Sequence, residues 1–333
     1  MGCARAWREK TEQCIRGGLD AAERAGDLYI PETRILVRAC RLRRDAGELC
    51  EPQWGMFARS AFWAGLNASG RALHILRSLQ RKHPSWVFCR SSAAVAYGLP
   101  VFAQRLGEVH VLLSAGARVS ARKRVRVHVA KSCSVARTMG LRVTSLQQTV
   151  VDCAREFEFC EALAVADACL RHYAVSQSEL LSFAEREGKG LWGIGQAREV
   201  LACANGLAES WGESVARGLM IRLGFMVPEL QVVIELSAEL GGSRRVDFLW
   251  RLPDGTVIIG EFDGKVKYKD KTLLRGRDAV DVLVDERQRE SRLTSTRAAV
   301  VRFTYDDLRN PARFVELLDA YGVPRNRSRV VAS

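Results

Sequence analysis

The stretch Val257–Tyr268, VIIGEFDGKVKY, decides how the C-terminal third of the chain folds. It opens on three β-branched strand formers, and behind them stand two acids and two lysines, each spaced by one residue. While the chain stays extended, Glu261, Asp263, Lys265 and Lys267 share strand parity and point to one face of a sheet. Just upstream, RRVDFLWRL (244–252) reads as a second strand, and Pro253-Asp254-Gly255 supplies the turn of a β-hairpin. Thirteen residues separate Asp247 from Glu261, so pairing about that turn brings the two carboxylates together. Both acids are embedded in apolar text, VDFLW and VIIGEFD, where a charge must be paired or metal-bound to be tolerated. The competing explanation is a solvated hairpin with a mixed-charge outer face, and the apolar surroundings favour a site.

Around this hairpin the sequence sets out an α/β unit. WGESVARGLMIRLGF (211–225) has helical spacing and carries Glu213 early, and PELQVVIEL (228–236) is a strand. After the hairpin comes a charged helix from about Asp278 to Thr294, then a strand AAVVRFTY, then a helix from about Pro311 to Tyr321. Arg287, Arg289 and Arg292 lie on the charged helix with Glu286 and Glu290 between them. They are either an ion-paired solvent face or phosphate-positioning groups.

Carboxylates clustered in this way suit metal-dependent cleavage of a phosphodiester, in which one or two hard cations are fixed by acids and a cation offsets the developing charge. The order of motifs, a helix with Glu213, VDF with Asp247, GEFDG with Glu261 and Asp263, then VVRFTYDDL, resembles the PD-(D/E)xK restriction-endonuclease-like fold. More narrowly it is similar to domains related to very-short-patch-repair endonuclease. The resemblance implies that Asp247 and Glu261 hold Mg²⁺ (or Mn²⁺ as a substitute), that Asp263 assists, and that Glu213 orients water or ligands. The general pattern has a lysine two residues after the glutamate, where Asp263 stands here, so Lys265 or Lys267 is expected to supply the cation. In the middle of the chain, SSAAVAYGLPV (91–101), VHV and LRVTSLQQTVVDCA (141–154) resemble the regulatory region of AbiEi-type abortive-infection antitoxins. That likeness implies DNA binding, a phage-defence or toxin–antitoxin setting and a toxin protein as partner. Its alternative to a live endonuclease is a non-cutting DNA-binding antitoxin or autorepressor that keeps the nuclease fold as scaffold.

Composition agrees with a polyanionic partner. The 333 residues carry a formal net charge of +13 with a pI near 9.6, which points to nucleic acid or an anionic surface. KRVRVHVA (123–130) alternates Arg124, Arg126 and His128 with valines, a half-buried strand whose basic face could meet phosphates or simply be solvated. No run reaches the length of a membrane span, and MGCARAWREKTEQC lacks the apolar core of a signal peptide, so a cytoplasmic protein is expected. Ten cysteines include no C-x-x-C pair, which favours reduced buried thiols over zinc. GKGLWGIG (188–195) lacks the GK[ST] and the preceding strand of a phosphate loop and reads as a linker.

The expected architecture is α/β (α+β) in three parts. Residues 1–85 form a helical region, a possible degenerate winged helix, with one helical run over Asp20–Arg44. Residues 86–205 form a mixed α/β middle domain. Residues 206–333 form a three-layer, restriction-endonuclease-like domain with a mixed sheet.

Overall fold

A computed structural model describes residues 2–114, 124–130, 133–235, 243–264 and 299–326. The protein is α+β, with helices packed on three sheets, and it divides into two compact units. One comprises Met1–Arg155 and Phe183–Leu191, the other Glu156–Ser182 and Trp192–Ser333. These units cut across the three segments expected from sequence. Among the described residues no helix is long and apolar enough to cross a membrane, and the cysteines from Cys14 to Cys203 are free.

The first unit begins with α1 (Gly2–Ala25) and α2 (Arg34–Asp45), followed by a hairpin of β1 (Leu49–Gln53) and β2 (Met56–Arg59). The single helical run expected over Asp20–Arg44 is therefore interrupted. Gly26 takes φ 68° after α1, and Thr33 restarts the helix as an N-cap, its hydroxyl accepting from the Leu36 amide at 3.3 Å. Ile15, Leu19, Cys40, Leu49 and Phe57 form a small core that holds these pieces together. After α3 (Ser60–Gly65) and α4 (Ala68–Lys82) comes a five-stranded sheet of β3 (Val87–Phe88), β4 (Val109–Ser114), β5 (Val125–Ala130), β6 (Val135–Thr138) and β7 (Leu141–Thr144). Its order is β5-β4-β3-β7-β6, with α5 (Arg90–Ala96) and α4 against it through a core that includes Leu76, Leu79, Phe88 and Val111. The helix α6 (Leu146–Glu156) follows, with the Gln148 amide donating to the Ser145 hydroxyl at its start.

The second unit holds α7 (Phe159–His172), α9 (Ile194–Cys203) and α10 (Trp211–Arg222); α8 (Gln177–Glu187), between the first two in sequence, is divided between the units after Ser182. Its sheet is built from β8 (Glu229–Glu235), β9 (Ser243–Arg251), β10 (Val257–Asp263) and β11 (Ala299–Thr304) in the order β11-β10-β9-β8. Strand β9 pairs antiparallel with both β8 and β10, and β11 returns parallel to β10. The hairpin about Pro253–Gly255 forms as the sequence predicts, with Gly255 at φ 85°. Phe248, Trp250, Ile258, Val301 and Phe303 pack with α10 and with α13 (Pro311–Ala320), which follows the short α12 (Tyr305–Arg309). A second apolar cluster gathers Val246, Leu249 and Ile259. Arg217 of α10 pairs with Asp167 of α7, its Nη2 donating to both carboxylate oxygens at 2.8 and 2.9 Å, both residues at most 2% exposed. The same carboxylate accepts from the Asn205 amide, and Arg217 also donates to the Cys203 carbonyl. This pair ties α7, α10 and the end of α9 into one body, which is why the helices before residue 206 belong with the sheet after it.

Candidate functional site

The sheet of the second unit loses its regularity at one level, and that level is where the acids stand. Pairing of β9 with β10 runs from Arg251↔Val257 to Phe248↔Gly260 and stops there. The next step would set Asp247 opposite Glu261. Instead of a ladder bond, the Phe262 amide donates to Asp247 Oδ2 at 2.9 Å. Meanwhile β10 continues alongside β11 as far as Asp263↔Thr304. On the other side of β9, Gln231 of β8 adopts φ 52°, a left-handed conformation that a residue with a Cβ rarely takes inside a strand. Strain of this kind costs of order 1–3 kcal/mol and persists only where the surroundings enforce it. Here the surroundings aim the Gln231 amide at Glu213, to which it donates at 2.9 Å.

Each acid is held differently. Glu261 is 5% exposed, on the strand buried between β9 and β11. Asp263 follows two residues on, hence on the same face, and lies 3.9 Å from an amino group of Arg302. Arg302 is the register partner of Glu261 on β11, so the guanidinium belongs to the same face as both acids. Ser210 caps α10 and Glu213 reaches back to it: the Glu213 amide donates to the Ser210 hydroxyl, and its carboxylate accepts from that hydroxyl and from the Glu209 amide, each at 2.7 Å. Burial pushes the Glu213 carboxyl above the usual carboxylate range, the hydrogen bonds oppose the shift, and nearby Asp247 adds to it. Below the acids lies an aromatic floor, with Tyr305 against Trp211 at 4.3 Å and edge-on to Phe262 at 5.0 Å. Burial, and secondarily Glu213, keep the Tyr305 phenol protonated well past its ordinary range. Gly212 permits this arrangement, because a Cβ there would stand 2.2 Å from the Phe262 ring.

The structure therefore brings Asp247, Glu261 and Asp263 together, with Glu213 close behind Asp247. Lys265 and Lys267, and Arg287, Arg289 and Arg292, lie outside the described residues. Arg302 was missed in the sequence; its signal was a lone arginine inside the apolar strand AVVRFT. Gln231 was missed too, and nothing in PELQVVIEL marks it.

A divalent cation such as Mg²⁺ fits this site only as a two-carboxylate ion. Among the described residues no three His, Cys, Asp or Glu groups converge as a ready-made cluster. Glu213 is engaged by three donors and Asp263 faces Arg302, so the candidate pair is Asp247, which accepts the Phe262 amide through Oδ2, and the buried Glu261. Mg²⁺ is commonly held by one or two carboxylates, with water and substrate oxygens completing its shell, so this pair meets the minimum.

In the first unit, the basic strand face, for which phosphate contact and simple solvation were both open, is largely engaged with itself. Arg126 pairs with Glu108 at 2.7 Å, and His128 shares a hydrogen bond of 2.9 Å with His110. Arg124 sits exposed at φ 64° just before β5. A better basic surface is the outer face of α2, where Arg34 and Arg38 are exposed one turn apart. Arg41 continues that face and stacks 4.5 Å over Trp54, which is 76% exposed at the tip of the β1–β2 hairpin. Glu51 fixes helix to hairpin, accepting from Arg41, Arg44 and the Gly55 amide.

No family model matches the chain. It is 37% identical over 164 residues to two uncharacterized proteins of Mycobacterium tuberculosis, one from strain CDC 1551 / Oshkosh and one from strain H37Rv. The matched stretch is 49% of this chain and 58% of each relative, so the chain spans little more than half the length of the curated relatives it matches.

Proposed function

We propose that the protein is a cytoplasmic, DNA-interacting phosphodiesterase whose second unit carries a divalent-metal site at Asp247 and Glu261. The observation that carries this reading is the splay of the sheet at these two acids. Strand β10 leaves the β9 ladder after Gly260 and continues with β11, so the ladder ends beside a buried carboxylate. When bound, the cation would supply Lewis-acid stabilisation and lower the pKa of a water. The chain's own groups do the rest. Asp247, fixed by the Phe262 amide, and Glu261, held in mid-sheet, set where the scissile phosphate sits. Glu213, braced by Ser210, Glu209 and Gln231, holds negative charge behind Asp247 and favours a cation there. Hydrolysis bonds a water oxygen to phosphorus and breaks one ester P–O bond, the leaving oxygen taking up a proton. The basic face of α2, Arg34, Arg38 and Arg41 beside Trp54, supplies sequence-independent attraction to a DNA backbone.

A second reading is a non-cutting DNA-binding regulator, and the placement of Asp263 against Arg302, where the resemblance calls for a lysine, favours it. Titrating Mn²⁺ into the full chain, followed by the electron paramagnetic resonance of the free ion, separates the two. Stoichiometric binding that is lost in Asp247→Ala/Glu261→Ala supports the metal site. Absence of binding, with DNA still retained in gel shifts, leaves the regulator.

A further inference from the structure

We infer that Trp54 is a stacking platform for an unpaired DNA base, with Arg34 and Arg38 taking the phosphates beside it. The inference rests on the DNA-interacting part of the reading above and is independent of the metal site.

Trp54 and Gly55 form the two-residue tip between the paired Gln53 and Met56, and Gly55 supplies the left-handed turn at φ 70°. The indole is 76% exposed, whereas a tryptophan ring ordinarily gives up most of its surface on folding. The tip that displays it is held firmly. Met56 and Phe57, directly behind it, are at most 1% exposed and belong to two different apolar cores. Glu51 accepts from the Gly55 amide at 2.8 Å and from Arg41, and Arg41 in turn lies 4.5 Å over the indole. Arg41 is thus committed to one face of the ring and steadies it there, and the exposure belongs to the other. A rigid, bare π-face suits another planar π-system, and bases stack on aromatic rings with little regard to sequence. Inside a duplex the base faces are already stacked on one another. The base is therefore an unpaired one, as in a single strand or a flipped nucleotide.

Charge assigns this surface to a polyanion. Helix α2 carries five arginines and one aspartate in twelve residues. Arg43 pairs with Glu12, and Arg44 with Glu51 and Asp45, so both are spent. Arg34 and Arg38 are exposed, one turn apart and ahead of Arg41, and have no partner among the described residues. Of the two acids that share their groove, Asp45 is already paired with Arg44, which leaves Glu32 against both guanidinium groups. A neutral aromatic ligand or an apolar protein side chain on Trp54 would leave Arg34 and Arg38 unanswered, and a nucleotide strand answers base and phosphate together.

The test uses the full chain as wild type, Trp54→Ala and Trp54→Phe, with circular dichroism to check folding. Two fluorescein-labelled probes of equal length are bound in EDTA, so that the metal site plays no part: a short oligothymidylate, and the same strand with abasic residues in place of the thymidines. Anisotropy is read over a salt series. Wild type is expected to bind the thymidylate at least ~5-fold more tightly than the abasic strand, the scale of one base stacked on an aromatic ring. Trp54→Ala should erase that preference and keep the slope of log affinity against log salt, because the phosphate contacts remain. Trp54→Phe retains a π-face and should keep part of the preference. Should Trp54→Ala fail to fold, Trp54→Leu, apolar but without a π-face, carries the same expectation. Equal affinity of wild type for the two probes overturns the proposal, as does a preference that survives in the folded Ala or Leu variant; in either case the DNA-interacting reading stands. If wild type binds neither these probes nor duplex, both fall.

Discussion

The Phe262 amide and the Asp247 carboxylate form the hydrogen bond that replaces the ladder where β9 and β10 part, at 2.9 Å. In the proposed function the same carboxylate has two tasks, one in the strand and one toward the cation, and substitution can separate them. Asp247→Asn keeps an oxygen for the Phe262 amide and removes the charge. Its stability should stay within about 1 kcal/mol of wild type by urea unfolding, the scale of one hydrogen bond, while divalent-metal binding is lost. Asp247→Ala should lose both.

Gly212 is the contact that lets Phe262 lie under the site. A Cβ at this position would meet the Phe262 ring at 2.2 Å, with the ring enclosed by Tyr305 and Phe303. Gly212→Ala should destabilise by about 1–3 kcal/mol, as over-packing does, and should displace the strand carrying Glu261. Thermal and urea unfolding read the first effect, and metal affinity reads the second.

The pair Arg217–Asp167 stands between the helices and the sheet unit. Truncating one partner leaves a buried charge, so Arg217→Met should cost about 3–5 kcal/mol. Arg217→Met/Asp167→Leu should recover much of that loss, because the uncompensated carboxylate is gone too. A double-mutant cycle in denaturant measures the difference.

Acid should weaken the first unit through His110 and His128. Burial first, then the nearby Arg90, lowers both imidazoles to about 4 from an ordinary value near 6.5; Arg126 adds to the lowering, and Glu108 opposes it at His110. The unfolded chain then binds more protons than the folded one between these values, so stability falls as pH drops from about 6.5 towards about 4. Melting temperature against pH should show a shallower acid decline in His128→Gln than in wild type.

On α2, Arg34→Ala/Arg38→Ala should lower the salt slope of duplex binding by about 2 without altering metal binding, because these residues would meet only phosphates. An unchanged slope would remove this face from the DNA surface.

The hairpin and its two acids were legible in the sequence because strand parity and the Pro253–Gly255 turn fix a local register. The partner of Glu261 on β11 was not legible, since a parallel strand arrives after a long connection whose length sets no register. The break between α1 and α2 was hidden by arginines and leucines that keep helical spacing on both sides of it. Likewise the β1–β2 hairpin carries Pro52 inside a strand, at a place where its register shifts, and such a strand shows no clean alternation. The left-handed Gln231 has no sequence signature, because the conformation is imposed by what it bonds.

The most direct measurement is cleavage of supercoiled plasmid by the full chain in Mg²⁺ and in Mn²⁺, beside Asp247→Ala/Glu261→Ala and an EDTA control. Nicking that requires the metal and vanishes in the double variant is the expected result. Nicking that survives unchanged in the double variant, or none from wild type with either metal, would contradict a metal-dependent phosphodiesterase at these two acids.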